Sequence, residues 1–563
     1  MILQRFVSLM TPAVIGEYHP KEHDNANGPS SFERSIKEAD RRRRRKRWLK
    51  IGLASSLTAI GLLTLLAGFL MHILIIPLVV ESNINDNSQL INNSVLMQKW
   101  TKPAYKMQFK IYAYSIKNPD EFMGGSKPDM AVSGPYTFDK KIENRVLSTG
   151  YGKVKFRKYE TYHFNEKDSC QTCILGNRIW VPNMIYQKFV EASSTTGMRA
   201  AATTLLSQTA FLEVEVDELL FEGYKDPFMD KVCEIPFMNF VCESILDVPD
   251  RIGLFYEANN TGSRIYEIRD GTDDPQNLGK LVSYDGEKLL DESWWSSDDA
   301  RQLRGTDGSL FPPFLKKEEK LWIFVKELCR SIWLVYKEEV MVKGVRAYRF
   351  VVPPEVFDPE YQGNGGFCNP TEKVFFKSQN DTECWPKGLL EISKCQRSQP
   401  PIAVSLPNFL FSTDEVKNSV KGLNASDEAN DGIVVDIEPR LGAVLSAKKR
   451  SQVNIEMWKG KDIAFPVNLK NMKSTLIPVI QIHEEIEVDD DSLKMIKTEL
   501  YETENRAYNI ATIMSIIGTI LLILGLVALW AVCMKCGPCW GNRGRVSPLP
   551  PYVPRNNNGG QAK

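Results

Sequence analysis

Cysteine is the residue type in this sequence whose spacing most directly suggests chemistry. Cys170 and Cys173 form a C-x-x-C pair, which is the spacing of a redox motif or of half a zinc site. Between the two apolar segments described below there is no second C-x-x-C, and the only histidines are His163 and His483. This composition disfavours a metal site, and we expect neither a metal nor a cofactor.

A second cysteine group, Cys533, Cys536 and Cys539, lies near the C-terminus. The string Cys536–Cys539 (CGPC) matches a thioredoxin tetrapeptide, but that chemistry needs the motif at a helix N-terminus in a βαβ unit. Here an apolar segment precedes the motif and a short polar tail follows it. Palmitoylation of these three cysteines next to the membrane is therefore the favoured interpretation.

Motifs for catalysis and nucleic-acid binding are missing from the sequence. There is no G-x-S-x-G elbow, P-loop, H-E-x-x-H or G-x-G-x-x-G. The 70 basic and 70 acidic residues cancel, so no global field attracts nucleic acid. Acidic clusters at 213–218 and 489–491 are interpreted as solvated faces. We expect a protein that is not an enzyme and has no nucleic-acid partner.

Two apolar segments determine how the rest of the chain is placed relative to a membrane. Residues 51–80 and 507–534 contain no Asp, Glu, Lys or Arg, and a helix of about 20 apolar residues spans a bilayer. A cleavable signal peptide fits the first segment poorly, because fifty residues precede it and its apolar run is too long. His72 could be a proton relay, but a tolerated polar residue near the outer interface is the favoured interpretation.

Charge sets the orientation of the two spans. Eight basic residues between 41 and 50 precede the first segment, and Lys535, Arg543 and Arg545 follow the second. The positive-inside rule then predicts a cytosolic basic tail (1–50), a transmembrane helix (51–80), an extracytoplasmic domain (81–506), a transmembrane helix (507–534) and a cytosolic tail (535–563). The basic run could be a nuclear signal, but contact with anionic lipid headgroups is favoured. Both tails are expected to be disordered.

Sequons and cysteines agree with this topology. Asn92, Asn259, Asn380 and Asn424 each begin an N-x-Ser/Thr triplet, and all four are predicted glycosylation sites in the extracytoplasmic segment. Eight of the eleven cysteines also lie there, an even number that allows up to four disulfides in an oxidising compartment.

The extracytoplasmic segment mixes strand and helix patterns. Apolar residues alternate with polar ones from Met107 to Ala113 and from Val453 to Met457, as in strands with one buried face. Helical patterns are predicted over 183–207 and 316–339, and turns at 270–271 and 285–286. The irregular order favours one α+β domain with a largely antiparallel sheet.

Ten short strings along this segment carry a family resemblance. They are Gly134–Phe138, Gly223–Phe228, Ile252–Thr261, Gly305–Phe314, Leu328–Ile332, Tyr348–Pro353, Ile392–Cys395, Ser405–Leu410, Asp436–Pro439 and Lys448–Ile455. In this order and topology the series closely resembles the class B scavenger receptor family, which includes fatty-acid translocase and the lysosomal integral membrane protein. The match covers both apolar segments and nearly the whole segment between them.

The resemblance implies a fold and an activity. The fold is an antiparallel β-barrel core with many short helices and a helical bundle at the apex farthest from the membrane. The activity is binding of lipids, fatty acids, sterols or lipoprotein-like particles, with a tunnel that passes lipid to the membrane. Because each exposed methylene costs about 0.8 kcal/mol in water, an apolar conduit would remove most of the barrier to transfer.

The resemblance also implies disulfides. Cys329 should pair with Cys395, and Cys368 with Cys384, while a further family pair is missing here from positions near 295–300 and 365–367. We predict in addition that Cys233 pairs with Cys242 and Cys170 with Cys173.

The apex of the family maps to about 183–220. Lys188 and Arg199 are candidate ligand contacts there, although solvated helix positions are the favoured interpretation. Met184, Ile185, Phe189 and Leu205 could guard a tunnel mouth or pack within the helical bundle. The many acidic residues at 213–218 depart from family members that take anionic ligands, which puts binding of oxidised lipoprotein in doubt.

Two rival functions share the topology. A trimeric channel would need more disulfides and a polar stripe in the second span, where Thr512, Ser515 and Thr519 are almost the only candidates. An adhesion or trafficking receptor would instead bind a protein ligand at the apex. The plasma membrane is the first choice of location, and an endolysosomal membrane the second.

Overall fold

The computed structural model describes residues 31–193, 210–227, 233, 239–240, 242, 247, 249–368, 371, 373–377, 379, 384–460 and 471–534. The chain divides into two compact units, one of residues 1–76 and 506–563 and the other of residues 77–505. Residues 194–209 of the predicted apex, with Arg199 and Leu205, lie outside the described residues, as do Asn380, Cys536 and Cys539.

Two long helices are apolar enough and long enough to cross a membrane. The first comprises α1 (Ser31–Leu70), a π-helical turn (Met71–Ile75) and α2 (Ile76–Asn87). The second ends the described chain and contains a π-helical segment (Ile496–Glu502) and α10 (Thr503–Met534). The sequence prediction of disorder up to residue 50 is wrong for residues 31–50, because this stretch is rich in helix-forming Arg, Lys and Glu and continues directly into the span.

Small residues bring the two spans into contact within the first unit. Gly61 and Gly68 on α1 are seven residues apart, as are Gly518 and Gly525 on α10. A Cβ added at Gly61 would overlap the backbone of Leu522, and one added at Gly525 would overlap Thr58. Close backbone approach through small residues is a usual source of van der Waals contact between membrane helices.

Replacing Gly61 by Leu should separate the two spans, since overpacking of this kind costs about 1–3 kcal/mol. We expect a lower melting temperature for the purified full-length protein in detergent, measured by size-exclusion chromatography after heating. Leu63→Ala is the matched control, because Leu63 is 66% exposed in the structure. A G61L melting curve that coincides with the wild-type curve would contradict this packing.

Sheet dominates the second unit. Its strands are β1 (Lys106–Ile116), β2 (Met130–Gly150), β3 (Lys153–Phe164), β4 (Arg178–Pro182), β5 (Phe211–Glu215), β6 (Tyr266–Arg269), β7 (Leu281–Tyr284), β8 (Leu321–Val325), β9 (Arg330–Val342), β10 (Val345–Val351), β11 (Leu389–Glu391), β12 (Ile402–Ser405), β13 (Val434–Glu438), β14 (Ala443–Met457) and β15 (Thr475–Glu487).

Short helices connect these strands. They are α3 (Val95–Thr101), α4 (Pro119–Met123), α5 (Met184–Ser193), α6 (Asp298–Arg301), α7 (Asp414–Lys417), α8 (Glu428–Asp431) and α9 (Asp490–Met495). A π-helical turn covers Glu218–Glu222, and 3₁₀ turns cover Pro275–Asn277, Lys326–Leu328, Pro354–Phe357, Gly365–Phe367, Ser393–Cys395 and Pro407–Phe409. The α+β class is confirmed.

The described strands form one 13-stranded antiparallel sheet and a separate β4–β5 pair. The main order is β7-β6-β3-β2-β1-β15-β14-β13-β10-β9-β8, with β12 on β14 and β11 on β12. The sheet is not a closed barrel, which corrects the expectation from the resemblance. Its edge strands do not pair, although Gly305 accepts a hydrogen bond from Leu281 of β7 and Thr306 donates one to Trp322 of β8. In a closed barrel the two edge strands are hydrogen-bonded to each other, whereas here the turn with Gly305 and Thr306 lies between β7 and β8.

Two pattern predictions have different outcomes. Alternate residues of β1 are buried from Met107 to Ala113, as predicted. The helix predicted over 316–339 is wrong, because this stretch forms β8 and β9, which pair antiparallel with Leu321 opposite Leu334. Its β-branched and aromatic residues favour strand, and Cys329 turns the chain with a φ of 53°.

Four disulfides join the cysteines that the sequence analysis paired: Cys170–Cys173, Cys233–Cys242, Cys329–Cys395 and Cys368–Cys384. The first uses both thiols of the C-x-x-C motif, so they do not form half of a metal site. The segments that lack the further family pair are neighbours: Ser296 donates a backbone hydrogen bond of 3.0 Å to Gly366, and the rings of Trp295 and Phe367 lie 5.2 Å apart.

A disulfide should therefore form in the double variant Ser297→Cys/Gly366→Cys. A Cβ added at Gly366 lies 3.0 Å from the Cβ of Ser297, and a small backbone shift reaches the 3.5–4.5 Å typical of disulfides. Peptide mapping of the purified protein without reductant should show the new bridge. The control is Ser297→Cys/Gly365→Cys, since a Cβ at Gly365 points into open space. Two thiols that both react with maleimide in the first variant would contradict the packing.

Candidate ligand-binding site

Helix α5 carries the apical residues that the sequence singled out. Met184, Ile185 and Phe189 are almost fully buried in the main core of the second unit. Gln187 on the same helix accepts a hydrogen bond of 3.0 Å from the backbone of Trp458. In the structure these apolar residues pack the helix onto the domain and are not exposed at a mouth.

Lys188 is half-buried, and its ammonium group donates a hydrogen bond to the carbonyl oxygen of Ser398. Burial lowers its pKa, an effect that Asp247 and Glu191 partly oppose. Its charge is therefore engaged within the domain. The role of Lys188 and Arg199 in ligand binding stays a prediction.

Lys373 ties α5 to the sheet through two ion pairs, one with a half-exposed carboxylate and one with a buried carboxylate. The ammonium group of Lys373 lies 3.1 Å from Glu191 on α5 and 2.9 Å from Glu456 on β14. The alternation in β14 predicted that Asn454 and Glu456 face solvent, and that prediction is wrong: both are buried. The cause is tertiary, because β14 has β13, β15 and β12 as neighbours, and Asn454 donates to Ser405 of β12.

Burial raises the pKa of Glu456 to about 7, Lys373 opposes this, and Glu391 adds to it. The folded protein therefore holds a proton here between about pH 4.5 and 7 that the unfolded chain has lost. Stability from this group is present at acidic pH and declines as the pH rises through that window.

Glu456→Gln should remove this pH dependence, because the amide mimics the protonated acid. We expect the melting temperature of the wild-type protein to fall relative to that of E456Q between pH 5 and pH 7.5, by differential scanning fluorimetry. Glu428→Gln, at a largely exposed carboxylate that pairs with Lys337, is the control. Parallel curves for wild type and E456Q would refute a shifted pKa at this position.

A second buried charge cluster lies between β2, β3 and β15. The ammonium group of Lys140 is 2.8 Å from Glu160 and 3.2 Å from Glu484, and Lys326 is 2.7 Å from Glu160. Burial alone would lower the pKa of Lys140, but the two carboxylates outweigh it and raise the pKa above its ordinary value. The charges are matched within the cluster, so it needs no ligand.

Aromatic rings adjoin this cluster. Phe109, Tyr162, Phe221 and Phe255 contact one another with centroids 5.0–5.6 Å apart. The ammonium group of Lys140 is 5.4 Å from the centroid of Tyr162. These rings pack the interior face of β1 and β3, so any lipid route through this part of the domain requires them to move.

Arg330, at the start of β9, differs from the paired cations. It is 2% exposed, and no described residue gives it a carboxylate partner. Its Nη2 donates to Asn364 at 3.2 Å, and its guanidinium lies 3.4 Å from the centroid of Phe367. Asn364 uses its own amide group to donate to the carbonyls of Glu355 and Asp358, which directs its Oδ1 to the arginine.

A small cleft of about 30 Å³, room for one water-sized group, lies beside this guanidinium. Its lining consists of Arg330, Val356, Phe357, Asp358, Pro359, Asn364, Phe367, Cys368, Cys384, Trp385, Leu389, Leu390 and Glu391. The wall is mainly apolar. Of its two carboxylates, Asp358 pairs with Lys387 at 2.9 Å and Glu391 accepts from the backbone of Ser393 at 3.0 Å.

Burial without a counter-charge lowers the pKa of Arg330 to about 9. The group stays cationic at neutral pH, and a desolvated cation gains most from an anion that brings its own oxygen acceptors. The sequence analysis missed this site. Arg330 belongs to the string Leu328–Ile332, which contributes to the resemblance, but nothing in that string shows that its arginine is buried away from carboxylates.

The other predicted positions are placed as follows. Asn92, Asn259 and Asn424 are exposed, as glycosylation requires, and Cys533 is exposed at the end of α10. His72 contacts the ring of Tyr508 at 4.8 Å. Burial lowers the pKa of His483 to about 4, so it is neutral above that pH. Glycosylation and palmitoylation stay predictions.

These features define a membrane protein with two spans and a large, disulfide-bonded, sheet-rich domain between them. The family model of the CD36 family matches residues 59–529, and the chain belongs to this family, whose members are class B scavenger receptors.

Two relatives show the extent of the similarity. Lysosome membrane protein 2 of Rattus norvegicus is 28% identical over 464 residues, which cover 81% of this chain and 90% of the rat protein. Sensory neuron membrane protein 1 of Antheraea polyphemus is 28% identical over 466 residues, which cover 79% and 84%. Both names describe membrane proteins, and neither states a catalytic activity.

Proposed function

We propose that the extracytoplasmic domain binds lipids with an acidic headgroup and passes them to the membrane, without covalent chemistry. The observation that carries the proposal is Arg330, a buried cation with no carboxylate partner among the described residues, in a cleft with apolar walls. A carboxylate would pair with the guanidinium. Because the cleft holds only about 30 Å³, the side chains of Phe357, Trp385 and Leu390 would move apart to contact the first part of the tail.

The passage to the membrane is the second part of the proposal. It is supported by the family resemblance. Because rings such as Phe221 and Phe255 fill the interior face, we infer that lipid moves only when these side chains change rotamer. The plasma membrane is the proposed location, with an endolysosomal membrane as the alternative.

Arg330→Gln should lower oleate uptake by transfected cells about tenfold, since a charge-assisted hydrogen bond contributes roughly 1.5–3 kcal/mol. Uptake of oleyl alcohol, which has the same tail and no charge, should be unchanged. Arg330→Lys should keep part of the oleate uptake. The assay uses radiolabelled lipid and corrects for the amount of protein at the cell surface.

Arg346→Gln is the matched control, because Arg346 is an exposed arginine that pairs with Glu339 at 2.8 Å. Equal loss of both lipids in R330Q would point to damaged folding or a blocked passage and not to headgroup recognition. Full oleate uptake in R330Q, with its surface level normal, would refute the proposed role of Arg330.

A protein-binding receptor is the second candidate. It is favoured by the exposed apolar side chains of Ile174 and Trp180, which lie close to the acidic strand β5 with Glu213 and Glu215. A basic protein partner would suit this surface. Loss of partner binding in Trp180→Ala, with unchanged oleate uptake, would favour this candidate.

A further inference from the structure

The turn between β2 and β3 exposes large apolar side chains. Leu147 is 53% exposed and Tyr151 is completely exposed. Around them are Arg145, which pairs with Glu143, and the lysines at 153 and 155. A projecting apolar tip with an aromatic ring and flanking cations has the composition of a membrane-interface anchor.

The β9–β10 turn has the same character. Met341 on β9 is 67% exposed, and the turn continues through Lys343 and Gly344. Lys343 pairs with Glu487 at 3.1 Å and with Asp490 at 3.4 Å.

Backbone hydrogen bonds connect the first tip to the start of the domain. Asp270 donates to the carbonyl of Gly152 at 3.1 Å, and Leu90 donates to the carbonyl of Asp270 at 2.8 Å. Leu90 follows α2, which ends at Asn87. The first span is predicted to end at residue 80, so only about 10 Å of helix separates the bilayer core from this part of the domain.

The second tip is connected to the other end of the domain. A Cβ added at Gly344 would lie 3.3 Å from the ammonium group of Lys497, in the π-helical segment that precedes α10. The second span is predicted to begin at residue 507, about 15 Å of helix farther on. Since lipid headgroups add roughly 5–8 Å beyond the hydrocarbon, these short connections put the interface within reach of both tips.

We propose that the two turns are membrane contacts, in which Leu147, Tyr151 and Met341 enter the headgroup region of the outer leaflet. The bilayer is favoured over a second copy of the chain or a soluble partner, because both tips are tied to the segments that lead into the spans. Contact at two points would hold the domain at a defined height above the membrane. This inference does not depend on the proposed lipid transfer.

The test uses the full-length protein in nanodiscs, with Cys533, Cys536 and Cys539 changed to Ser. Single cysteines introduced by Leu147→Cys or Met341→Cys are labelled with NBD, a polarity-sensitive fluorophore. The control is Ile174→Cys, which is 66% exposed. Its loop is anchored where Cys170 donates to the carbonyl of Pro135, about 40 Å along β2 from the tip.

We expect blue-shifted emission at positions 147 and 341, and quenching by phosphatidylcholine with a doxyl group near its headgroup, while position 174 shows neither. Tyr151→Asp should weaken the quenching at position 147. Labels at 147 and 341 that behave like the label at 174 would overturn the proposal. A blue shift at position 147 that depends on the density of protein in the nanodiscs, without quenching by doxyl lipid, would also overturn the proposal. It would indicate a contact between copies of the chain.

Discussion

The pairing of β1 with β15 is the interaction on which the rest of the structure depends. Lys106 lies opposite Glu487, so strands that are far apart in the chain are neighbours at the centre of the sheet. Because they are antiparallel, β1 begins where β15 ends. The chain therefore enters β1 and leaves β15 at the same end of these two strands. A domain whose two ends both continue into a span requires this arrangement. Pairing β1 with β15 costs the loop-closure entropy of the whole segment that separates the two strands in the chain.

Buried charge is the second feature that organises the domain. Lys140 and Lys373 each have two carboxylates within 3.2 Å, so these cations are compensated inside the protein. Arg330 has an aromatic face and one amide oxygen instead. A group that the fold leaves electrostatically incomplete is a better candidate for ligand binding than a charge that the fold already satisfies.

Local packing joins the two segments where the resemblance implies a further disulfide. The edge-to-face contact of Trp295 with Phe367 and the hydrogen bond from Ser296 to Gly366 hold these two segments together. Phe367 also lines the Arg330 cleft, because its ring contacts both Trp295 and the guanidinium. The packing of this segment is thus linked to the proposed headgroup site.

The sequence alone predicted the two spans from local composition, and it predicted the family and the cysteine pairs from short strings that resemble the family in their order. The side of the membrane on which the domain lies stays a prediction. The sequence also predicted β1, whose one buried face follows simple alternation. Only the tertiary structure decided that Glu456 is buried, that residues 321–325 and 330–342 are strands, that the sheet stays open and that Arg330 has no carboxylate partner among the described residues. Burial and charge compensation depend on which distant segments become neighbours, and no local pattern contains that information.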